Sequence, residues 1–97
     1  MKKVFVVADN IFSPLGRDTK SNLAALKQDL SGIHLQHSGI SENPFYASLL
    51  PPGSITGDPD LTPFENIVAA SIKDALKDQT FDPAAPRAGF ILSATKG

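Results

Sequence analysis

Two short apolar runs, one near each end of the chain, constrain the fold more than any other feature. Residues 3–8 (Lys-Val-Phe-Val-Val-Ala) and residues 88–93 (Ala-Gly-Phe-Ile-Leu-Ser) are rich in β-branched and aromatic residues and do not alternate with polar ones. Such runs are typical of strands buried on both faces, as in a parallel sheet. A strand of this kind needs a layer on each side, so the sequence predicts an α/β fold.

Length and charge narrow the possible classes of protein. The 97 residues support at most one domain, spanning residues 1–97, and a domain of this size buries about 65% of its unfolded surface. A net charge of −1 provides no basic field, so we expect no nucleic-acid partner. The chain has no cysteine, which excludes disulfides and thiolate metal sites and fits a cytoplasmic protein.

The N-terminal sequence does not indicate a targeting segment. Lys2 and Lys3 precede an apolar run that ends before Asp9, which is shorter than the core of a signal peptide. No apolar run approaches the roughly 20 residues needed to cross a bilayer. We therefore expect a soluble protein without a membrane partner.

Two helices are predicted between the apolar runs. The first begins at Asp18 or Thr19, either of which can cap a helix, and ends at residues 31–32 (Ser-Gly). The second begins with a capping box, in which Thr62 is the N-cap, Pro63 follows and Glu65 is the third helical residue. It ends before residues 82–83 (Asp-Pro). Its predicted apolar stripe comprises Phe64, Ile67, Val68, Ser71, Ile72, Ala75 and Leu76.

The segment between the helices has a different composition. Four prolines and three glycines interrupt residues 34–61, which predicts an irregular excursion without long regular structure. A segment of this length is either functional or covered by neighbouring structure. With both strands and both helices, the sequence predicts a right-handed βαβ-type unit with a long crossover between two parallel strands.

Few residues suggest chemistry. His34 and His37 are three residues apart, but Glu42 is the only carboxylate that follows closely, so we interpret them as loop histidines rather than metal ligands. Ser13 lacks the Gly-x-Ser-x-Gly context of a nucleophile. Because Pro14 follows it, we interpret Ser13 as a turn residue whose hydroxyl bonds nearby backbone.

The remaining polar residues also give no site. Asp58 and Asp60 flank Pro59 and predict a solvated turn rather than a calcium site. Asp9 and Asp29 are isolated acids. Residues 95–97 (Thr-Lys-Gly) do not form a phosphate loop, and no Gly-x-Gly-x-x-Gly pattern occurs. From the residues alone we predict no catalytic, cofactor-binding or metal-binding residue.

Three segments, in order, resemble the N-terminal region of β-ketoacyl synthases, which are condensing enzymes of the thiolase fold. The first is the run at residues 3–8 with residues 10–16 (Asn-Ile-Phe-Ser-Pro-Leu-Gly). The second is the first helix leading into residues 30–33 (Leu-Ser-Gly-Ile). The third is the second helix, then residues 81–83 (Phe-Asp-Pro) and residues 88–97. The resemblance covers most of this chain and the first quarter or so of a typical synthase.

The resemblance implies a scaffold role. A full synthase has a five-layered αβαβα core made of two similar halves and works as a dimer. Its cysteine takes an acyl group from acyl carrier protein, and two histidines, or a histidine and an asparagine, help to decarboxylate malonyl thioester. These positions would lie beyond residue 97, and His34 and His37 do not match them. The chain would thus be a partial N-terminal domain, inactive alone, that associates with itself or with the remainder of the synthase.

Two alternatives remain at this point. The chain could be a stand-alone, non-catalytic α/β module that binds acyl carrier protein or a synthase subunit. A flavodoxin-like nucleotide-binding module is less favoured, because no phosphate loop follows the first predicted strand.

Overall fold

A computed structural model describes residues 2–37 and 39–94. In chain order the elements are helix α1 (Thr19–Lys27), strand β1 (Ile33–Gln36), strand β2 (Phe45–Ser48) and helix α2 (Pro63–Leu76). The predicted mixture of helices and strands is therefore confirmed. The sheet is a two-stranded antiparallel pair, which differs from the predicted pair of parallel strands.

Helix α1 begins where the sequence predicts and ends earlier than predicted. Asp18 is the N-cap, and its carboxylate accepts a hydrogen bond of 2.7 Å from the backbone N–H of Ser21. The predicted stop at residues 31–32 is wrong. Asp29 adopts a left-handed φ of 57°, and the N–H groups of Asp29 and Leu30 donate to the carbonyls of Leu26 (3.1 Å) and Ala25 (3.0 Å).

These two bonds form a Schellman motif, which satisfies the last carbonyls of the helix. Glycine usually occupies the left-handed position of this motif, but a short polar side chain such as that of Asp29 tolerates it. The helix therefore closes before Gly32 is reached.

Strands β1 and β2 lie inside the segment predicted to be an irregular excursion. Ile33 pairs with Ser48 and Gln36 with Phe45, so the strands extend over only four residues each. Phe45 and Ala47 are half-buried, whereas Tyr46 and Ser48 are exposed, which is the alternation expected of a sheet with one covered face. The prolines and glycines limit the length of the strands, and they do not prevent pairing.

Helix α2 confirms the predicted capping box. The Thr62 hydroxyl accepts from the Glu65 N–H at 3.2 Å, and the Glu65 carboxylate accepts from the Thr62 N–H at 3.1 Å. Pro63 is the first helical residue. Every residue of the predicted apolar stripe is half-buried and none is fully buried, so the stripe is covered on part of its surface.

The two predicted strands at the ends of the chain are wrong for this structure. Residues 3–8 and 88–93 belong to no strand. Within the described part of the chain, the backbone groups of residues 3–8 and 89–93 make no hydrogen bond. A strand is stable only when a neighbour satisfies its N–H and C=O groups, and these runs have no such neighbour here. The two runs therefore form no strand here despite their β-forming composition.

Little of the chain is buried. Among the described residues only Ala25 is fully buried, while Val4 and Ile91 are each 93% exposed. The chain exposes 8374 Å² in total, whereas a folded monomer of 10.3 kDa exposes about 5400 Å². The expected burial of about 65% of the unfolded surface is thus not reached; the value here is about 44%.

Substitution of Asp29 by glycine should stabilise the end of α1. Glycine adopts the left-handed conformation without the steric cost that a Cβ atom brings, so we expect Asp29→Gly to raise the free energy of unfolding by about 0.5–1 kcal/mol. Urea unfolding followed by circular dichroism measures this change. Gln28→Gly is the matched control, because Gln28 has an ordinary φ of −94° and glycine there should only add flexibility. An equal gain in both variants would contradict the Schellman assignment.

Acid should weaken both helix starts. Hydrogen bonds from the side chain and backbone of Ser21, helped by Lys77 and Lys20, lower the pKa of Asp18. The backbone and side chain of Thr62 lower the pKa of Glu65. A carboxylate with a lowered pKa in the folded state stabilises that state above its unfolded pKa of about 4, and this contribution is lost as the pH falls through the lowered pKa.

We therefore expect the helical circular-dichroism signal to be constant from about pH 8 to pH 5 and to fall below about pH 4. The variant Asp18→Asn/Glu65→Gln keeps acceptor oxygens but does not titrate at these positions. It should lose less signal in acid than the parent chain, and an unchanged acid transition in this variant would show that other groups cause it.

Candidate functional site

The turn at residues 13–16 (Ser-Pro-Leu-Gly) is held by both backbone and side-chain hydrogen bonds. Ser13 and Gly16 exchange two backbone hydrogen bonds, of 2.8 Å and 3.0 Å. The Ser13 hydroxyl accepts from the Leu15 N–H at 3.1 Å and donates to Oδ1 of Asn22. The prediction that Ser13 is a turn residue bonded to local backbone is confirmed. The Ser13 hydroxyl donates its proton to an amide oxygen rather than to a base.

Asn22, on the second turn of α1, connects this turn to the helix. Its Nδ2 donates to three backbone carbonyls, those of Ile11 (2.9 Å), Gly16 (3.1 Å) and Asp18 (2.8 Å). One side chain thereby binds the chain before the turn, after the turn and at the helix N-cap. The sequence analysis did not predict this role of Asn22. Asparagine is a poor helix former, so its presence in a predicted helix is the signal that could have indicated a special role.

Asn10 connects the same segment to the second helix. Its Nδ2 donates to the Arg17 carbonyl at 2.8 Å and to the Ser71 hydroxyl at 2.9 Å. Beside it, Asp9 accepts from the Thr19 hydroxyl at 2.6 Å. Ser71 carries the one hydroxyl in the otherwise apolar stripe of α2. A polar residue at this position is the sequence signal that indicates the contact. Asp9 is therefore hydrogen-bonded within the chain, to a hydroxyl rather than to a second acid or a base.

Close packing also fixes the turn. A Cβ atom on Gly16 would lie 2.5 Å from the Cβ of Ser21, which is too close for any side chain to fit without movement of the backbone. A Cβ atom on Gly32 would meet Pro14 and Leu15 at 3.5 Å and 3.6 Å. The turn thus lies against α1 on one side and against the start of β1 on the other. We refer to residues 9–22 and their bonds as the turn clamp.

An open cleft of about 400 Å³ borders the turn clamp. Residues 6–10, the start of α1 and the end of α2 with the residues that follow it line this cleft. Its charged residues are of both signs: Asp9, Asp18, Lys20, Asp74, Lys77 and Asp78. Asp9 and Asp18 already accept hydrogen bonds within the chain. The cleft therefore combines no nucleophile with a base, and its mixed charges favour no ligand of one sign.

A second cleft, of about 480 Å³, lies where residues 55–61 meet the start of α2. Asn66 accepts from the Asp58 N–H at 3.0 Å and donates to the Asp58 carbonyl at 3.0 Å. The Asp58 carboxylate accepts from the Asp60 N–H at 2.8 Å. The predicted solvated turn at Asp58 and Asp60 is confirmed. Gly57, with φ of 147°, lies so close to Asn66 that a side chain would not fit there.

The other candidate residues are not brought together. His34 lies in strand β1 and is exposed, so its interpretation as a loop residue is wrong; His37 follows the strand. Asp29 closes α1. Over residues 2–37 and 39–94, no group of three His, Cys, Asp or Glu side chains is placed to hold a metal ion. Residues 95–97, which end the third segment that resembles the synthases, lie outside the described residues.

Comparison of the chain with protein-family models, with curated proteins and with solved structures finds no match. No helix in the described part of the chain is long and apolar enough to span a bilayer. The side chains of the turn clamp bind backbone carbonyls and one another, which is an arrangement that fixes a turn rather than one that activates a substrate.

Removal of the Asn22 side chain should destabilise the chain more than is usual for a residue near the surface. Asn22→Ala removes the amide that links Ser13, the turn and the helix N-cap and takes from the Ile11 carbonyl its donor, while the Gly16 and Asp18 carbonyls keep backbone donors. We expect the free energy of unfolding to fall by about 1–3 kcal/mol. Chemical denaturation measures the loss. Asn43→Ala is the matched control, because Asn43 is exposed, and its effect should stay within about 0.5 kcal/mol. Equal losses in the two variants would show that the turn clamp does not stabilise the fold.

Proposed function

We propose that residues 1–97 form the N-terminal scaffold of a β-ketoacyl synthase, whose family condenses acyl and malonyl thioesters in fatty-acid or polyketide synthesis. The observation that carries the proposal is the state of Ser13 in the turn at residues 13–16. Its hydroxyl is committed to Asn22 and to the Leu15 N–H, as a structural residue's would be. A turn held in this way sets the direction in which α1 leaves the first apolar run.

The apolar runs also support the proposal. Residues 3–8 and 88–93 have the composition of internal strands, yet Val6 is 84% and Phe90 69% exposed. In a synthase they would be neighbouring parallel strands of the N-terminal half, in a sheet that helices cover on both faces. Helix α2, whose apolar stripe is half-buried, would supply part of that cover. Under this proposal the complete protein has a thiolase-like fold.

The proposed scaffold does no chemistry of its own. Condensation through an acyl-enzyme needs a thiolate, which a helix N-terminus stabilises, and donors for the oxyanion that develops in decarboxylation and condensation. This chain has no cysteine. Under the proposal the thiol and the histidines come from a part of the protein beyond residue 97, and acyl carrier protein is the partner that delivers the substrates.

The native protein tests the proposal directly. Antibodies raised against residues 1–97 would isolate the endogenous polypeptide, whose intact mass and condensing activity with acyl- and malonyl-acyl carrier protein are then measured. We expect a polypeptide several times longer than 97 residues whose activity is lost after alkylation with iodoacetamide. In the control, pre-immune serum replaces the antibodies in the same isolation from the same extract.

A native polypeptide of 10.3 kDa without condensing activity would contradict the proposal. If such a polypeptide retained acyl carrier protein on purification, the stand-alone interaction module would be the better description. A long polypeptide whose activity survives alkylation would instead indicate a parent protein of another class.

A further inference from the structure

Two turns of the chain begin with an Asp-Pro pair, at residues 58–61 (Asp-Pro-Asp-Leu) and at residues 82–85 (Asp-Pro-Ala-Ala). In each turn the first carbonyl accepts a hydrogen bond of 3.1 Å from the fourth N–H. In each, the first carboxylate also accepts from the third N–H, at 2.8 Å in the first turn and 2.9 Å in the second. The two turns therefore share the same β-turn and Asx-turn hydrogen bonds.

The Asx-turn bond holds each carboxylate beside the Asp-Pro peptide group. The ring that this bond closes contains that peptide group, because Oδ1 of the aspartate binds the N–H two residues later. An aspartate carboxylate can attack its own backbone carbonyl carbon, since the ring that forms has five members. The proline nitrogen belongs to a tertiary amide, which takes up a proton and leaves more readily than a secondary amide. Both turns thus hold the groups that cleave an Asp-Pro bond in acid.

One contact distinguishes the first turn from the second. Nδ2 of Asn66, the fourth residue of α2, donates to the Asp58 carbonyl at 3.0 Å, in addition to the Leu61 N–H at 3.1 Å. The Asp82 carbonyl accepts, among the described residues, only from the Ala85 N–H. Two donors at this distance from one carbonyl oxygen are the arrangement that stabilises an oxyanion when the carbonyl carbon is attacked.

Asn66 is held in place by the segment on which it would act. Its Oδ1 accepts from the Asp58 N–H at 3.0 Å, so its amide binds both backbone groups of Asp58. Asn66 is half-buried, and Gly57 lies so close to it that a side chain would not fit there. Asp58 is exposed, so water reaches the peptide bond.

The charged groups near this bond are acids. Of the described residues that line the cleft, Asp58 alone has an ionisable side chain. Asp60 lies beside it in the turn, and Glu65 precedes Asn66 in α2. Acidic surroundings without a cation favour a proton on the leaving nitrogen.

We propose that the folded chain hydrolyses its own Asp58–Pro59 bond in mild acid, with the Asn66 amide and the Leu61 N–H as oxyanion donors. The Asp58 carboxylate attacks its own carbonyl carbon, and the carbonyl oxygen takes the negative charge. The Pro59 nitrogen takes up a proton from the medium, the C–N bond breaks and a cyclic anhydride of Asp58 remains. Water opens the anhydride, which leaves Asp58 as a new C-terminus and Pro59 as a new N-terminus.

This proposal does not rest on the synthase relationship. The reaction is hydrolysis of the chain by its own residues and is separate from condensation, in which the proposed scaffold takes no part. At neutral pH few protons reach the proline nitrogen and the bond is stable, so the isolation and assay of the native protein are unaffected. The two proposals therefore fail separately.

Intact-mass spectrometry of the chain held at about pH 5, where we expect the helices to persist, measures cleavage at both Asp-Pro bonds. We expect fragments 1–58 and 59–97 to form about tenfold faster than fragments 1–82 and 83–97. This is less than the roughly 100- to 1000-fold effect of one oxyanion donor in an enzyme site that excludes water, because Asp58 is exposed. In concentrated urea at the same pH the two bonds should break at similar rates.

Variants separate the donor from the nucleophile. Asn66→Leu removes the donor and keeps a side chain with the same branching, so cleavage after residue 58 should slow about tenfold while cleavage after residue 82 is unchanged. Asn43→Ala is the matched control, because Asn43 is exposed and its loss should leave the preference intact. Asp58→Ala removes the nucleophile and should stop cleavage after residue 58 alone.

The bond after residue 82 is an internal reference, because it meets the same acidity and temperature in the same sample. Equal rates at the two bonds of the folded chain, faster cleavage after residue 82, or no cleavage after residue 58 would overturn the proposal. A preference that persists in urea, or in Asn66→Leu with its helical circular-dichroism signal intact, would overturn it as well, since the hydrogen bonds to the carbonyl would then not be its cause.

Discussion

The side-chain amide of Asn22 is the interaction on which the order of the N-terminal region depends. It binds the carbonyls of Ile11, Gly16 and Asp18 and accepts the Ser13 hydroxyl. A chain with one fully buried residue among those described cannot rely on hydrophobic burial to fix this segment. Hydrogen bonds from side chains to backbone take that role, and each contributes about 1 kcal/mol. Asn10 then extends the network to α2 through Ser71.

Local signals are what the sequence predicts well. The capping box at Thr62 and Glu65, the N-cap at Asp18 and the turn at Ser13 each depend on residues within a few positions of one another, and all three are present. The end of α1 is local as well, but glycine propensity favoured Gly32 whereas Asp29 adopts the left-handed conformation first. Residue preferences rank the options at such a position without deciding between them.

Non-local pairing is what the sequence does not determine. The runs at residues 3–8 and 88–93 have a clear β composition, but a strand exists only when another strand pairs with it. Conversely, Ile33 and Ser48 pair in a segment whose prolines and glycines predicted irregular structure. The contact of Asn10 with Ser71 escapes prediction for the same reason, because the two residues are 61 positions apart. The partners of Asn22 lie only 4 to 11 positions away, but their contact depends on how the turn folds back onto α1. The candidate site is therefore a structural network that composition alone does not reveal.

Hydrogen exchange at individual backbone amides measures the strength of this network most directly. Under native conditions we expect the amides of Ser13 and Gly16, which bond to each other across the turn, to be protected as strongly as the amides of α1, since Asn22 links the turn and the helix into one cooperative unit. Exchange of Ser13 and Gly16 at the rate of an unstructured peptide, with α1 still protected, would contradict the central role of the turn clamp.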